Sequence, residues 1–136
     1  MSSILSLDVG ERRIGVAVAS SESRLASPLK TLLNEGDIAA TIQELLVANQ
    51  ATALVLGLPR NLEGEDTAQT QYVRAFADRI KPIVGVPLYW QDEALTSRKA
   101  EEELTARGKP YAKADIDALS ATYILEDFLR DNPAEV

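Results

Sequence analysis

Three acidic residues draw attention by their neighbours. Asp8 lies inside an otherwise apolar run, Ile4-Leu5-Ser6-Leu7-Asp8-Val9, where a carboxylate is costly unless a cation, an ion pair or the amides of a turn near Gly10 compensate it. Asp92 and Glu93 follow the short apolar run at residues 86–90. Side chains alternate across a strand, so only one of these two can face a site shared with Asp8. Glu93 shares a face with Tyr89 and Gln91, and Asp92 shares the other with Trp90. Asp117 stands one helical turn before Ser120 and Ala121, at the head of a stripe of small and apolar residues. Each acid has an ordinary explanation as well: a turn residue for Asp8, and partners of a helix N-terminal dipole for the others. Their convergence changes the balance, because they come from the first strand, the end of the last strand and the start of the last helix. With no Lys or Arg between them they would repel one another, and oxygen-seeking Mg²⁺ or Mn²⁺ would relieve the repulsion. Two such ions could activate a water and stabilise the leaving oxygen of a phosphodiester.

Composition leaves room for that chemistry and removes others. The 136 residues include no Cys and no His, which excludes disulfides, thiolate and Ser-His-Asp catalysis, Cys-based zinc sites and histidine switches. With 46% hydrophobic and 26% charged residues the chain reads as one globular domain, residues 1–136. Neither a signal peptide nor a membrane span is expected, so a cytoplasmic location is. The net charge of −7, from 14 basic and 21 acidic residues, argues against an indiscriminate grip on nucleic acid but allows a local basic site.

The elements that must position the acids are legible from periodicity. Residues 4–9 and 14–20 read as two strands joined at residues 10–13, and a third strand is expected between 24 and 33, where Pro28 suggests either an edge position or a break. Asp37 caps a helix carrying Ile38, Ile42, Leu45 and Leu46 on one side. Residues 53–58 form an unbroken apolar run, as in a strand covered on both faces. A polar loop at residues 60–66 leads through Thr67 into a helix with Val73, Phe76, Ala77 and Ile80 in one stripe. The fifth strand is expected at residues 86–90. Thr96 or Ser97 caps a helix closed by Gly108, and Asp115 caps a last helix carrying Ser120, Ala121, Ile124 and Phe128. The order β-β-β-α-β-α-β-α-α implies a mixed five-stranded sheet with helices on both faces, the fourth and fifth strands parallel to the first. Function in such sheets gathers at the C-terminal ends of the parallel strands.

Several motifs, in order and over nearly the whole chain, resemble those of the YqgF/RuvX family. They are Asp8-Val9-Gly10-Glu11-Arg12-Arg13-Ile14-Gly15-Val16-Ala17, Gly57-Leu58-Pro59-Arg60-Asn61 with Gly64, Asp92-Glu93-Ala94-Leu95-Thr96-Ser97, and Ile116-Asp117-Ala118-Leu119-Ser120-Ala121. The resemblance implies a ribonuclease H-like fold, Holliday junction resolution, a role in maturing the 5′ end of the 16S ribosomal RNA precursor, and metal-binding acids at Asp8, Glu93 and Asp117. One departure is Ala94, where the family commonly has Arg after the glutamate; Arg98, one turn later, could partly replace it.

Arg12, Arg13, Arg60 and Arg98 flank the acids and could hold phosphates by charge-assisted bonds, with Asn61 and the amides near Gly64 adding neutral contacts. Any one of them could equally be a solvated charge. Lys109 and Lys113 around Pro110-Tyr111 suggest a basic rim. Tyr89 and Trp90 could stack on bases but are better explained by packing, and residues 101–103, all Glu, suit a solvated face turned from substrate. The expectation is a metal-dependent nuclease acting on structured RNA or branched DNA, the latter favouring a homodimer. Two other readings remain: a noncatalytic RNA-binding ribosome-assembly module, and the phosphate hairpin of actin-like sugar kinases, which need two such domains.

Overall fold

The computed structural model describes residues 2–61, 63–93, 96–108 and 112–133, with side chains undescribed at 96–99 and 101. Its elements follow the expected order: β1 (Ser3–Val9), β2 (Arg13–Ser20), β3 (Ala26–Leu33), α1 (Ile38–Ala48), β4 (Ala51–Pro59), α2 (Ala68–Val84), β5 (Leu88–Glu93), α3 (Thr96–Ala106) and α4 (Lys113–Asp131). The sheet order is β3-β2-β1-β4-β5. β2 is antiparallel to β1 and β3, while β4 runs parallel to β1 and β5 parallel to β4. β3 lies at an edge, where Pro28 interrupts no inner ladder, and its register shifts opposite Val16 and Ala17.

Strand alternation divides the molecule. Leu5, Leu7, Val9, Ile14, Val16, Leu54 and Leu56 point to one face and are buried under α1 and α2, against Ile42, Leu46, Val73, Phe76 and Ile80. Burying each large side chain contributes roughly 1.5–3 kcal/mol. Ile4, Ala17, Ala19, Ala53 and Val55 point the other way, under Ala121, Ile124, Leu125 and Phe128 of α4. α3 rests on α4 through Ala100, Leu104 and Leu119.

The helix starts follow capping chemistry, with one correction. Asp37 Oδ1 accepts from the Ala40 amide at 3.2 Å, and Thr67 and Thr70 form a reciprocal box at the head of α2. The Thr70 hydroxyl also donates to the Pro59 carbonyl, tying that helix to the end of β4. Asp115 is not the cap of α4. The helix begins earlier, at Lys113, and Asp115 reaches back so that its Oδ2 accepts from the Ala112 amide at 2.9 Å. The acidic residue thus works from the third helical position, where a carboxylate also meets the dipole favourably. A second difference concerns β5, which starts at Leu88 and carries Asp92 and Glu93 inside the strand, paired with Leu58 and Pro59. The backbone ladder with β4 continues past the apolar run because pairing does not require apolar side chains.

Candidate active site

The face of the sheet under α4 changes character towards the C-terminal ends of β1 and β4. Along β1, Ile4 gives way to Ser6 and then Asp8; along β4, Val55 gives way to Gly57; along β5, Tyr89 gives way to Gln91 and Glu93. Ser6 is fully buried, and its hydroxyl donates to the Ala121 carbonyl at 2.6 Å, pinning α4 to β1 one pleat below Asp8.

Two glycines make room around Asp8. Gly15 pairs with Asp8 across β1 and β2, and a Cβ there would stand 1.9 Å from the Asp117 carbonyl oxygen. Only glycine lets the first turn of α4 lie this close to the sheet, which is how Asp117 comes to overhang the end of β1. Gly57 follows Leu56, the partner of Leu7, and so sits beside Asp8 on the other side. A Cβ at Gly57 would stand 2.6 Å from Glu93 Oε2. The Glu93 carboxylate therefore lies over Gly57, on the face that Asp8 shares. Asp92 points to the opposite face, more than two-thirds exposed, with Oδ1 3.7 Å from Arg60 Nη1.

The Asp8 carboxyl is pushed up to about 7, first by burial and then by the negative charge of Asp117. No lysine or arginine among the described residues forms a salt bridge with Asp8. Asp117 is compensated differently: Arg13 Nε donates to its Oδ2 at 2.7 Å. An arginine thus stands on one of the three acids, contrary to the expectation that none intervenes, because the first residue of β2 lies beside the head of α4. No group of three acidic side chains among the described residues is already arranged to hold a metal ion. The donor chemistry still suits a hard divalent cation. The Asp8 carboxyl forms no salt bridge with a basic side chain among the described residues, Glu93 overhangs the neighbouring strand, and Asp117 has one carboxylate oxygen bonded to Arg13.

A cleft of about 490 Å³ opens beside these residues, lined by Gly10, Glu11, Arg12, Arg13, Gln69, Lys113 and Asp117. Its floor is the β1–β2 hairpin, closed by a bond from the Gly10 amide to the Arg13 carbonyl at 2.9 Å. The hairpin is braced from both sides: Asn34 Nδ2 donates to the Gly10 carbonyl at 2.9 Å and Gln69 Nε2 to the Val9 carbonyl at 3.1 Å. Sequence reasoning missed Gln69 and Asn34. Gln69 could have been suspected as a first-turn residue of the helix that Thr67 announces, whereas nothing local marks Asn34.

The remaining candidates are placed as follows. Arg12 is exposed in the cleft. Arg60 Nε is buried and makes no hydrogen bond, lying 3.4 Å from Asp66 Oδ1. Asn61 turns its Oδ1 inward to accept from the Glu63 and Glu65 amides at 3.1 and 2.8 Å, so it organises the loop. The Arg98 side chain, Ala94, Lys109 and Pro110-Tyr111 lie outside the described residues, while Lys113 lines the cleft. Tyr89 packs on Phe128 with ring centres 5.4 Å apart, and Trp90 is 40% exposed on the opposite face. Glu102 is exposed, and Glu103 accepts from the Tyr123 hydroxyl at 2.8 Å. No helix among the described residues is long and apolar enough to cross a membrane.

Comparison with known proteins agrees with this architecture. A family model, RuvX, described as Holliday junction resolvase, matches residues 2–131. A relative from Roseiflexus sp. (strain RS-1), provisionally named pre-16S rRNA nuclease, is 39% identical over 130 residues, 93% of this chain and 92% of the relative. One from Haemophilus ducreyi with the same provisional name is 35% identical over 136 residues, 97% of this chain and 99% of the relative. Among solved structures, T. thermophilus RuvC in complex with a Holliday junction substrate matches with a TM-score of 0.64 at 19% identity, covering 99% of each chain. The Fowlpox virus resolvase in complex with Holliday junction DNA matches at 0.54 and 7% identity, covering 98% of this chain and 99% of that one. At such identities the likeness concerns the fold, which is ribonuclease H-like.

Proposed function

Since the chain belongs to the RuvX family of resolvases and nucleases, we propose that it hydrolyses phosphodiester bonds in structured nucleic acid at a site formed by Asp8, Glu93 and Asp117. The physiological substrate in this reading is the 16S ribosomal RNA precursor, as the relatives' names suggest; trimming at its 5′ end, in the cytoplasm, is part of the same proposal. Branched DNA is a second substrate, suggested by the family description. Residues 1–136 act as one nuclease domain, and junction DNA would be met by a homodimer presenting two sites.

The observation that carries this reading is the uncompensated Asp8 carboxylate, flanked by Gly15 and Gly57, with Glu93 overhanging one glycine and Asp117 the other. Asp8, Glu93 and Asp117 would hold Mg²⁺ or Mn²⁺, and two such ions would activate a water and stabilise the leaving oxygen. Arg12 and Arg13, which line the cleft, would take the phosphate on the scissile side. Arg60, with long ion pairs to Asp66 and Asp92, and Arg98 would grip flanking phosphates. Asn61 supports that grip by shaping the loop after Arg60. Ser6 and Gln69 hold α4 and the hairpin still, which keeps the carboxylates in register.

The test is cleavage of a labelled panel by wild type and Asp8→Asn, with Mg²⁺, Mn²⁺ or chelator. The panel holds single-stranded RNA, precursor-like RNA hairpins, single-stranded DNA and four-way junctions. Metal-dependent cutting that the variant loses is expected, with RNA hairpins preferred. Tight RNA binding without any cutting would replace this reading with a noncatalytic ribosome-assembly module.

A further inference from the structure

The Arg13–Asp117 contact raises a question about order of events. Arg13 opens β2, where pairing with Leu33 and the bond to the Gly10 amide fix its backbone. Asp117 is equally fixed, because its own carbonyl rests on Gly15. The 2.7 Å bond between their side chains is part-buried, 33% and 21% exposed, and opens onto the cleft that Arg12 and Lys113 also line. A carboxylate oxygen that accepts a bond this short cannot at the same time give its full charge to a divalent cation. Arg12 is next in sequence and lines the same cleft, yet it makes no ion pair with Asp117.

We propose that Arg13 is a positioning residue that stands in for the cation: it holds Asp117 in the metal-free protein and exchanges with the incoming ion. The inference rests on the metal reading of Asp8, Glu93 and Asp117. On exchange, the freed guanidinium turns into the cleft, where a phosphate of the nucleic acid is its natural partner. Metal and phosphate then favour one another, since each stabilises the arrangement the other needs, and the coupling is reciprocal. Arg13 consequently has two partners in turn, whereas Arg12 has only the phosphate.

The experiment is Mn²⁺ binding followed by electron paramagnetic resonance, without nucleic acid, in wild type, Arg13→Gln and Arg12→Gln. Both substitutions remove one positive charge from the same cleft, but only the first removes a competitor for Asp117. Arg13→Gln is expected to bind Mn²⁺ about tenfold more tightly than wild type, and Arg12→Gln only about twofold. Equal effects of the two variants, or weaker binding by Arg13→Gln, would overturn the exchange while leaving the metal site standing. Absence of Mn²⁺ binding in wild type and both variants would overturn the metal reading itself. A second measurement needs no variant: the Arg13 Nε–H resonance of the wild type, slow to exchange with solvent when metal-free, should shift and exchange quickly once Mg²⁺ is added. A resonance unmoved at saturating Mg²⁺ would also overturn the proposal.

Discussion

On the α1/α2 side of the sheet β1 presents Leu5, Leu7 and Val9, all buried among large aliphatic and aromatic side chains. One residue along, on the α4 side, the same strand presents Ile4, Ser6 and Asp8, and its neighbours contribute Ala17, Gly15, Ala53 and Gly57. The first face is filled by side-chain bulk. The second is filled by the helix itself, which comes close enough for its backbone to touch Gly15 and for Ser6 to bond it. Small residues on the strands thus bring a helix, and the carboxylate at its head, over a charged group that the oily face could not tolerate. The side of the sheet with the smaller buried apolar cluster is the side that carries the candidate site.

That contrast makes separable predictions. Asp8→Asn should abolish metal-dependent cleavage, a loss greater than the roughly 10- to 100-fold that removing an outer partner of a metal ligand costs, while thermal unfolding shows the metal-free protein no less stable. Leu56→Ala, on the oily face, should do the reverse: destabilise by about 2–5 kcal/mol in urea unfolding and leave Mn²⁺ affinity unchanged in the folded protein. Gly57→Ala divides the two faces more finely. Its methyl would meet Glu93 Oε2 and Ile124 Cδ1, both ends of flexible side chains, so the stability cost should stay near the low end of about 1–3 kcal/mol while Mn²⁺ affinity falls. If affinity survives that substitution, Glu93 is not a ligand.

The smallest effect is a pH dependence in the metal-free protein. The Asp8 carboxyl titrates near 7 when folded and near 3.8 when unfolded, so between those values the folded state holds a proton that the unfolded chain has lost. Stability must therefore fall as pH rises from about 4 to about 7 and level off above, by about 1–2 kcal/mol once solvent at the cleft softens the shift. Chemical unfolding across that range should show the slope in wild type, and the slope should vanish in Asp8→Asn. A rise in stability over the same window would mean that Asp8 is compensated by a cation of the protein.

Much of this was visible in the sequence for a physical reason: period-two and helical patterns report which side chains are buried, and strands joined through helices must return parallel to one another. The order of strands and helices, the parallel course of β4 and β5 with β1, the cap at Asp37 and the division of Asp92 from Glu93 by alternation follow from local rules, whereas the ribonuclease H-like fold was implied by the motif resemblance, and Pro28 left β3 either at an edge or broken. Glycines 15 and 57 were visible as motif residues, but their purpose was not, since it depends on what crosses above them from distant parts of the chain. The Arg13–Asp117 bond was hidden likewise, joining residues 104 positions apart. Asp115 was misplaced by three positions because a carboxylate can satisfy a helix start either as the cap or from the third residue, and the sequence does not distinguish them.

The central claim is that three carboxylates from β1, β5 and α4 share divalent ions. Anomalous scattering from crystals soaked in Mn²⁺ tests it most directly. The account predicts density between Asp8, Glu93 and Asp117, with the Arg13 guanidinium turned away from Asp117. Mn²⁺ bound only at other acids, with Arg13 still on Asp117 and Asp8 bare, would contradict it.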